Sequence, residues 1–288
     1  MTTLLIALAV GGGVYLLFLF LVAWIAIHPP RSPIFLSPSA LGAPTEEIEF
    51  ESDGLKLRGW WVPHPDPRGV FVLAHGYVMN RSENAALAAR FYDSGFSSLL
   101  FDSRGCGKSE GTNVGFGWLE RIDVLNALRF AAAKAPNLPK ILLGSSMGAA
   151  ACAFALAEEP SLADGLVLDS SYHDLPSATS GWWNFLGGKT ASVVLFPVMF
   201  IGWLLTGINP YRVNVGDALK KIDKKILILH GKRDVMIPPF HAVKNHEVCS
   251  NSRLIWSESA GHAEMRWIET ERYIKEVMDY VREIVIGK

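Results

Sequence analysis

Lys140-Ile141-Leu142-Leu143-Gly144-Ser145-Ser146-Met147-Gly148 passes from a short apolar run, through a serine flanked by glycines, into an alanine-rich stretch. The run has the length of a strand buried on both faces, and the residues from Met147 onward have the composition of a helix. The pattern G-x-S-x-G therefore falls on a strand-to-helix turn. Small neighbours there let the serine hydroxyl project from the sheet edge, and the helix N-terminus supplies amides and the positive end of a dipole. That context makes Ser146 a candidate nucleophile. The pentapeptide alone would not, because three fixed small residues in five positions recur by chance.

The same grammar extends to both sides. Short apolar runs at Val70 to Ala74, Ser98 to Phe101, Leu166 to Leu168, Ile226 to Leu229 and Leu254 to Trp256 read as buried strands. Helix patterns lie between or after them at Glu83 to Tyr92, Trp118 to Lys134, Met147 to Ala157, Phe240 to Cys249 and Ile268 to Ile286. Such alternation predicts an α/β fold, a mainly parallel sheet covered by helices on both faces. Before it, Glu47 to Glu51 and Leu55 to Val62 alternate in strand fashion around Asp53-Gly54, which predicts an opening hairpin.

The N-terminal segment is of another kind. Thr3 to Ile27 carries no charge and is nearly all apolar, and about 20 such residues cross a bilayer as a helix. A cleaved signal peptide would have a basic start, a shorter apolar stretch and a small-x-small exit, and this segment has none of these. Residues 1–28 are therefore expected to be a single transmembrane anchor. Arg31 is the only basic residue near either end, which tilts the orientation toward a cytoplasmic catalytic domain. Residues 29–45, with Pro29, Pro30, Pro33, Pro38 and Pro44, read as a stiff extended linker, and residues 46–288 as the catalytic domain.

A serine hydroxyl needs a base, and the chain has eight histidines. In a parallel sheet bearing this turn, the acid follows a late strand and the histidine the last one. Asp234 lies in the turn after Ile226 to Leu229, and His262 lies after Leu254 to Trp256 in Gly261-His262-Ala263. These two are the candidate acid and base, with Asp169 the alternative acid. Taken singly, an Asp in a Gly-containing turn or a His beside a Gly is usually only a loop residue. Their order after Ser146, at successive strand ends, favours chemistry. Backbone amides of Met147 and of Tyr77, in the turn His75-Gly76-Tyr77, are the candidate donors to an oxyanion. His75 is expected to brace that turn.

Composition and spacing exclude several alternatives. The net charge of -1 leaves no basic excess for nucleic acid. Gly107-Lys108-Ser109 suggests a phosphate loop, but Asp102 stands where a Walker A loop needs glycine, so the segment from Asp102 to Ser109 reads as a structural loop braced by an Asp and Arg pair. Cys106, Cys152 and Cys249 are too few and too scattered for a disulfide framework or a metal site, and are expected as free thiols. The triad chemistry requires no metal or cofactor.

These motifs, His75-Gly76-Tyr77, the Asp102 to Ser109 loop, Gly144 to Gly148, Asp234 and Gly261-His262, together resemble the α/β-hydrolase superfamily over everything after the linker. Within it the chain is most similar to membrane-anchored hydrolases of the serine aminopeptidase-like or acylglycerol lipase-like group. The resemblance implies an α/β-hydrolase fold, a serine hydrolase acting on esters, thioesters or peptides, and a cap inserted over the serine. An acyltransferase using the same triad and a non-catalytic receptor or scaffold are the alternatives. The cap falls at about residues 172–215. From Leu175 to Tyr211 the only charge is Lys189, and Trp182, Trp183 and Phe185 are its candidate substrate contacts. A second span there is disfavoured, because Ser192 to Leu205 is short and contains Pro197. A cap so poor in charge on an anchored domain predicts a long-chain or lipid acyl substrate.

Overall fold

The computed structural model describes residues 1–285. Strands form at the short apolar runs: β1 (Glu46–Ser52), β2 (Leu55–Val62), β3 (Val70–Ala74), β4 (Ser97–Phe101), β5 (Lys140–Ser145), β6 (Gly165–Asp169), β7 (Ile226–Gly231) and β8 (Ser252–Ser257). They build one sheet in the order β1-β2-β4-β3-β5-β6-β7-β8. The hairpin β1–β2 pairs antiparallel and joins β4 antiparallel, and from β4 to β8 every neighbour is parallel. Asp53 and Gly54, both at positive φ, close the hairpin in a two-residue turn.

After the N-terminal helix α1 (Thr2–Ile27), the helices α2 (Ala85–Asp93), α3 (Glu120–Lys134), α4 (Met147–Glu158), α5 (Leu175–Val194), α6 (Val198–Thr206), α7 (Val215–Leu219), α8 (Phe240–Glu247), α9 (Met265–Ile268) and α10 (Thr270–Val285) follow in chain order. The expected terminal helix is thus broken at Glu269, and its last residue, Ile286, lies outside the described residues. Two cores result, one on each face of the sheet. Leu142, Leu166 and Ile228 point to α3 and α4, while Phe71, Leu143 and Leu227 point to α2 and α10. This is the period-2 alternation of a strand with both faces covered.

Helix α4 comes so close to the sheet that only glycine fits. A Cβ at Gly148 would stand 2.4 Å from the carbonyl oxygen of Ala74, and one at Gly144 would stand 2.3 Å from that of Gly148. Backbone cannot yield as a flexible side chain can, so Gly148→Ala is expected to cost about 3 kcal/mol or more of stability. Urea unfolding of the two proteins checks this; an unchanged midpoint would show that the helix can back away.

The Pro-rich stretch has no helix or strand from Pro29 to Ser37, makes a short 3-10 turn at Pro38–Leu41, and is fastened along the domain. The Arg31 guanidinium donates to the carbonyls of Cys106, Gly107, Ser109 and Gly111. Asn80 donates to Ser32 and Pro33, and the Ser82 hydroxyl accepts the amides of Phe35 and Leu36. Prolines, which give up amide donors and fix φ, suit a segment held by the Arg31 side chain and the Ser32 and Pro33 carbonyls, with amides used between the prolines at Phe35 and Leu36. This is a strap rather than a spacer.

The Asp102 loop also differs from expectation. Arg104 forks onto the buried Asp123, while Asp102 accepts the amides of Arg81 and Lys108. Arg104 and Asp102 therefore brace the loop through separate partners. Cys106, Cys152 and Cys249 are buried free thiols.

The cap begins and ends at one point, where Asp174 and Asn214 form an antiparallel bridge. Helix α5 kinks at Gly187-Gly188, and α6 turns from it by 86° at Pro197. Helix α1 is long and apolar enough to cross a membrane. Its C-terminal half packs on the cap, with Leu19 and Ala23 buried against Trp183 and Val198.

Candidate active site

The sheet order reverses at β3, between β4 and β5, and the loops leaving β3 and β5 meet at the carboxyl ends of the strands, where open α/β sheets bind ligands. Ser146 stands between β5 and α4 with φ 51° and ψ -113°. A left-handed, non-glycine backbone of this kind costs of order 1–3 kcal/mol and persists only where the surroundings enforce it. Here the Ser146 amide donates to the Asp169 carbonyl on one side, and α4 begins immediately on the other.

The Ser146 Oγ lies 2.9 Å from His262 Nε2, and His262 Nδ1 lies 2.7 Å from Asp234 Oδ2. With the Nδ1 proton donated to the carboxylate, Nε2 is the acceptor that faces the serine hydroxyl. Asp234 is itself oriented, since its Oδ1 accepts the amides of Met236 and Ile237. All three candidates, drawn from three separate strand ends, meet in one line. Met147, as the first residue of α4, presents an amide with no carbonyl behind it in the helix. Tyr77 lines the cavity beside Ser146. Its hydroxyl donates to the Ala26 carbonyl, and burial pushes that phenol up to about 12. The ring therefore holds α1, while its amide is the candidate oxyanion donor. His75 donates from Nδ1 to the Gly76 carbonyl and accepts the Ser103 amide at Nε2, so it braces this turn.

Asp169 is placed elsewhere. Its Oδ2 takes two bonds from Arg266 and one from the Tyr273 hydroxyl, and its Oδ1 accepts the Ser170 hydroxyl, so both oxygens are engaged away from His262. Arg266 continues to Glu83 at 3.6 Å, and the Glu83 carboxylate accepts the Gly76 amide at 2.6 Å. A buried ionic chain thus links the carboxyl end of β6 to the turn that carries Tyr77. Sequence reading missed Glu83 and Arg266. Their signal was weak, since both are ordinary helix residues by composition and Arg266 lies 97 positions from Asp169. It also missed the loop of Val114, Gly115 and Phe116, which lines the cavity and is held by Glu120 through the amides of Gly115 and Gly117.

Ser146 and His262 open into a cavity of about 1100 Å³, counting its mouth. Its walls are almost wholly apolar, and among the described residues they include no carboxylate. Trp182 and Trp183 line it. Phe185 does not. Leu175, Ala178, Thr179, Trp182 and Trp183 of α5 line the cavity, whereas Phe185 sits one turn beyond Trp182, its ring centroid 6.1 Å from that of Trp182, and is half exposed.

The other buried histidines are not placed as bases. His230 lies 3.4 Å from Asp234 but bonds the Ile237 carbonyl, and burial pushes its imidazole down. His241 accepts the His173 amide, and burial pushes it down to about 4. In the unfolded chain a histidine titrates near 6.5. Between about pH 6.5 and 4 the unfolded state thus binds a proton that native His241 refuses, so stability falls as pH falls through that window. The loss approaches about 1.4 kcal/mol per pH unit, and His230 adds to it in the same direction. Urea midpoints at pH 7 and pH 5 should differ less for His241→Asn than for the wild type; an equal difference would rule out His241 as the source.

Comparison with known proteins bears on the same elements. The family model for serine aminopeptidase, S33, matches residues 65–197. An esterase of Pyrococcus furiosus superposes with a TM-score of 0.76 at 21% identity, over 90% of this chain and 98% of its own. The chain has the α/β-hydrolase fold. Among curated relatives, the monoacylglycerol lipase of Mycolicibacterium smegmatis is 41% identical over 90 residues, 31% of this chain and 32% of its own length. The aligned part therefore spans about a third of that lipase. The uncharacterized protein YfhR of Escherichia coli is 26% identical over 231 residues, 75% of this chain and 73% of its own.

Proposed function

We propose that this α/β-hydrolase is a membrane-anchored serine hydrolase that cleaves long-chain or lipid acyl esters through Ser146, His262 and Asp234. The observation that carries this reading is the hydrogen-bonded line of the three residues at the floor of an apolar cavity. His262 Nε2 takes the proton as Ser146 Oγ attacks the acyl carbonyl. The amides of Tyr77 and Met147 receive the developing oxyanion. Collapse breaks the carbonyl–oxygen bond, and the leaving alcohol takes the proton from Nε2. Water, deprotonated by the same nitrogen, then releases the acyl group and restores the serine.

The lining supports an ester with an apolar acyl part over a peptide with a free amino terminus. A terminal ammonium needs a carboxylate partner, and the described lining offers none. The relative named a lipase and the neighbour named an esterase agree with this choice. Anchoring is supported by α1 itself. Leu19 and Ala23 are buried against the cap, so cleavage of α1 as a signal peptide would uncover Trp183 and Val198. Beside α1 the cap exposes Val193, Phe196 and Leu204, an apolar surface suited to lipid.

The purified protein in detergent should react once with a fluorophosphonate, seen as one phosphonyl adduct by intact mass. It should also hydrolyse a dodecanoyl ester with a kcat/KM at least about tenfold above that of the butanoyl ester. Labelling without chain-length preference would remove the lipid reading and leave the hydrolase. Absence of labelling in the folded protein would remove both.

A further inference from the structure

Three residues of α1 reach the cavity that contains Ser146 and His262: Ala23, Ala26 and Ile27. A helix whose only task was to tether the domain would need no such contact. This end of α1 is also fixed by bonds on several sides. The Tyr77 hydroxyl donates to the Ala26 carbonyl at 2.9 Å, and the Val114 amide donates to the Ile27 carbonyl at 2.8 Å. Tyr77 and Val114 line the same cavity, so the loops beneath the serine and the helix beside it are bolted together. Higher up, the Tyr15 hydroxyl donates to the Val194 carbonyl of the cap.

The facing wall is cap. Val198, Met199, Gly202 and Trp203 of α6 line the cavity opposite the nucleophile loops, and α6 packs along α1. On the α1 side two of the lining residues are alanines, Ala23 and Ala26, where a larger side chain would take up cavity volume. The uncharged stretch Thr2–Ile27 and the cap from α5 to α6, whose one charge is Lys189, therefore lie side by side next to the cavity.

We propose that α1 is part of the acyl-binding site. Ala23, Ala26 and Ile27 form the wall against which the acyl chain of a membrane lipid ester lies while its carbonyl is held at Ser146, and the seam between α1 and α6 is the route by which that chain arrives from the bilayer. The anchor thus also sets the acyl-chain length the enzyme accepts. This rests on the serine-hydrolase reading above and adds to it a specificity element outside the catalytic domain.

The test compares kcat/KM for dodecanoyl and butanoyl esters in detergent micelles, in full-length wild type, Ala26→Phe and Leu8→Phe. Leu8 is on the exposed N-terminal half of α1, is itself 64% exposed and does not line the cavity. In Ala26→Phe the dodecanoyl-to-butanoyl ratio should fall about tenfold or more, because a phenyl ring takes the volume of several methylenes. In Leu8→Phe the ratio should stay within twofold of wild type. Fluorophosphonate labelling reports whether Ser146 is still assembled. Should Ala26→Phe fail to label, Ala26→Gly enlarges the same wall, and its ratio of hexadecanoyl to dodecanoyl hydrolysis should rise. A labelled Ala26→Phe whose ratio matches wild type, or an Ala26→Gly with no shift, overturns the inference and leaves the hydrolase reading standing. A wild type that neither labels nor hydrolyses any ester brings down that reading, and this one with it.

Discussion

Ser146→Ala should lower ester hydrolysis by roughly five to six orders of magnitude while leaving the fold intact. The side chain it removes has one partner, His262 Nε2, and supports no other part of the structure. The strained backbone at φ 51° is retained by alanine, since its causes are the Asp169 carbonyl and the start of α4, neither of which the substitution touches. Urea unfolding should therefore move by less than about 0.5 kcal/mol. His262→Ala should cost a comparable factor, and the double variant little more than either single one, because a nucleophile without its base and a base without its nucleophile are equally idle. Residual activity should survive from the oxyanion donors. If Ser146→Ala kept even a few per cent of wild-type turnover, the reacting group would have to be another residue.

Much of this arrangement can be read from the sequence because it is written in local patterns. Strands buried on both faces must be continuous apolar runs, and glycine is required at Gly144 and Gly148 by backbone contacts that no larger residue survives. The order of Asp234 and His262 along the chain follows from strand ends that all point one way. What is not legible depends on pairings far apart in sequence or on backbone acceptors. The strap is held by one guanidinium on four carbonyls, and carbonyls carry no residue identity. Arg266, Asp169 and Glu83 gain their meaning only once three elements are packed together. Phe185 is ambiguous for another reason. An apolar helix that is kinked at Gly187-Gly188 offers no polar face against which to tell its inner side from its outer one. Helix α1 reads as a span from its composition, and nothing in that composition distinguishes the turns that touch the cap from those that touch nothing.

The choice between Asp234 and Asp169 yields the second large effect. Asp234→Asn keeps the size and the acceptor oxygen that holds the amides of Met236 and Ile237. It places an amide nitrogen where Oδ2 accepted the His262 Nδ1 proton. Two donors then face each other, and the ring relieves the conflict by moving its proton to Nε2, where it meets the serine hydroxyl as a donor instead of a base. The expected loss is about 10⁴ in kcat, with KM nearly unchanged. His230, 3.4 Å from the same carboxylate, cannot take over, because its Nε2 is held against the Ile237 carbonyl and burial disfavours the imidazolium that a base must become. Asp169→Asn should behave in the opposite manner. It strips the buried Arg266 of its strongest partner and should cost about 3–5 kcal/mol of stability, while the protein that remains folded keeps most of its turnover. Measuring kcat and urea midpoints for both variants separates the two roles. An Asp169→Asn protein that is stable but dead, beside an Asp234→Asn protein that still turns over, would transfer the acid to Asp169 and require His262 to swing toward β6.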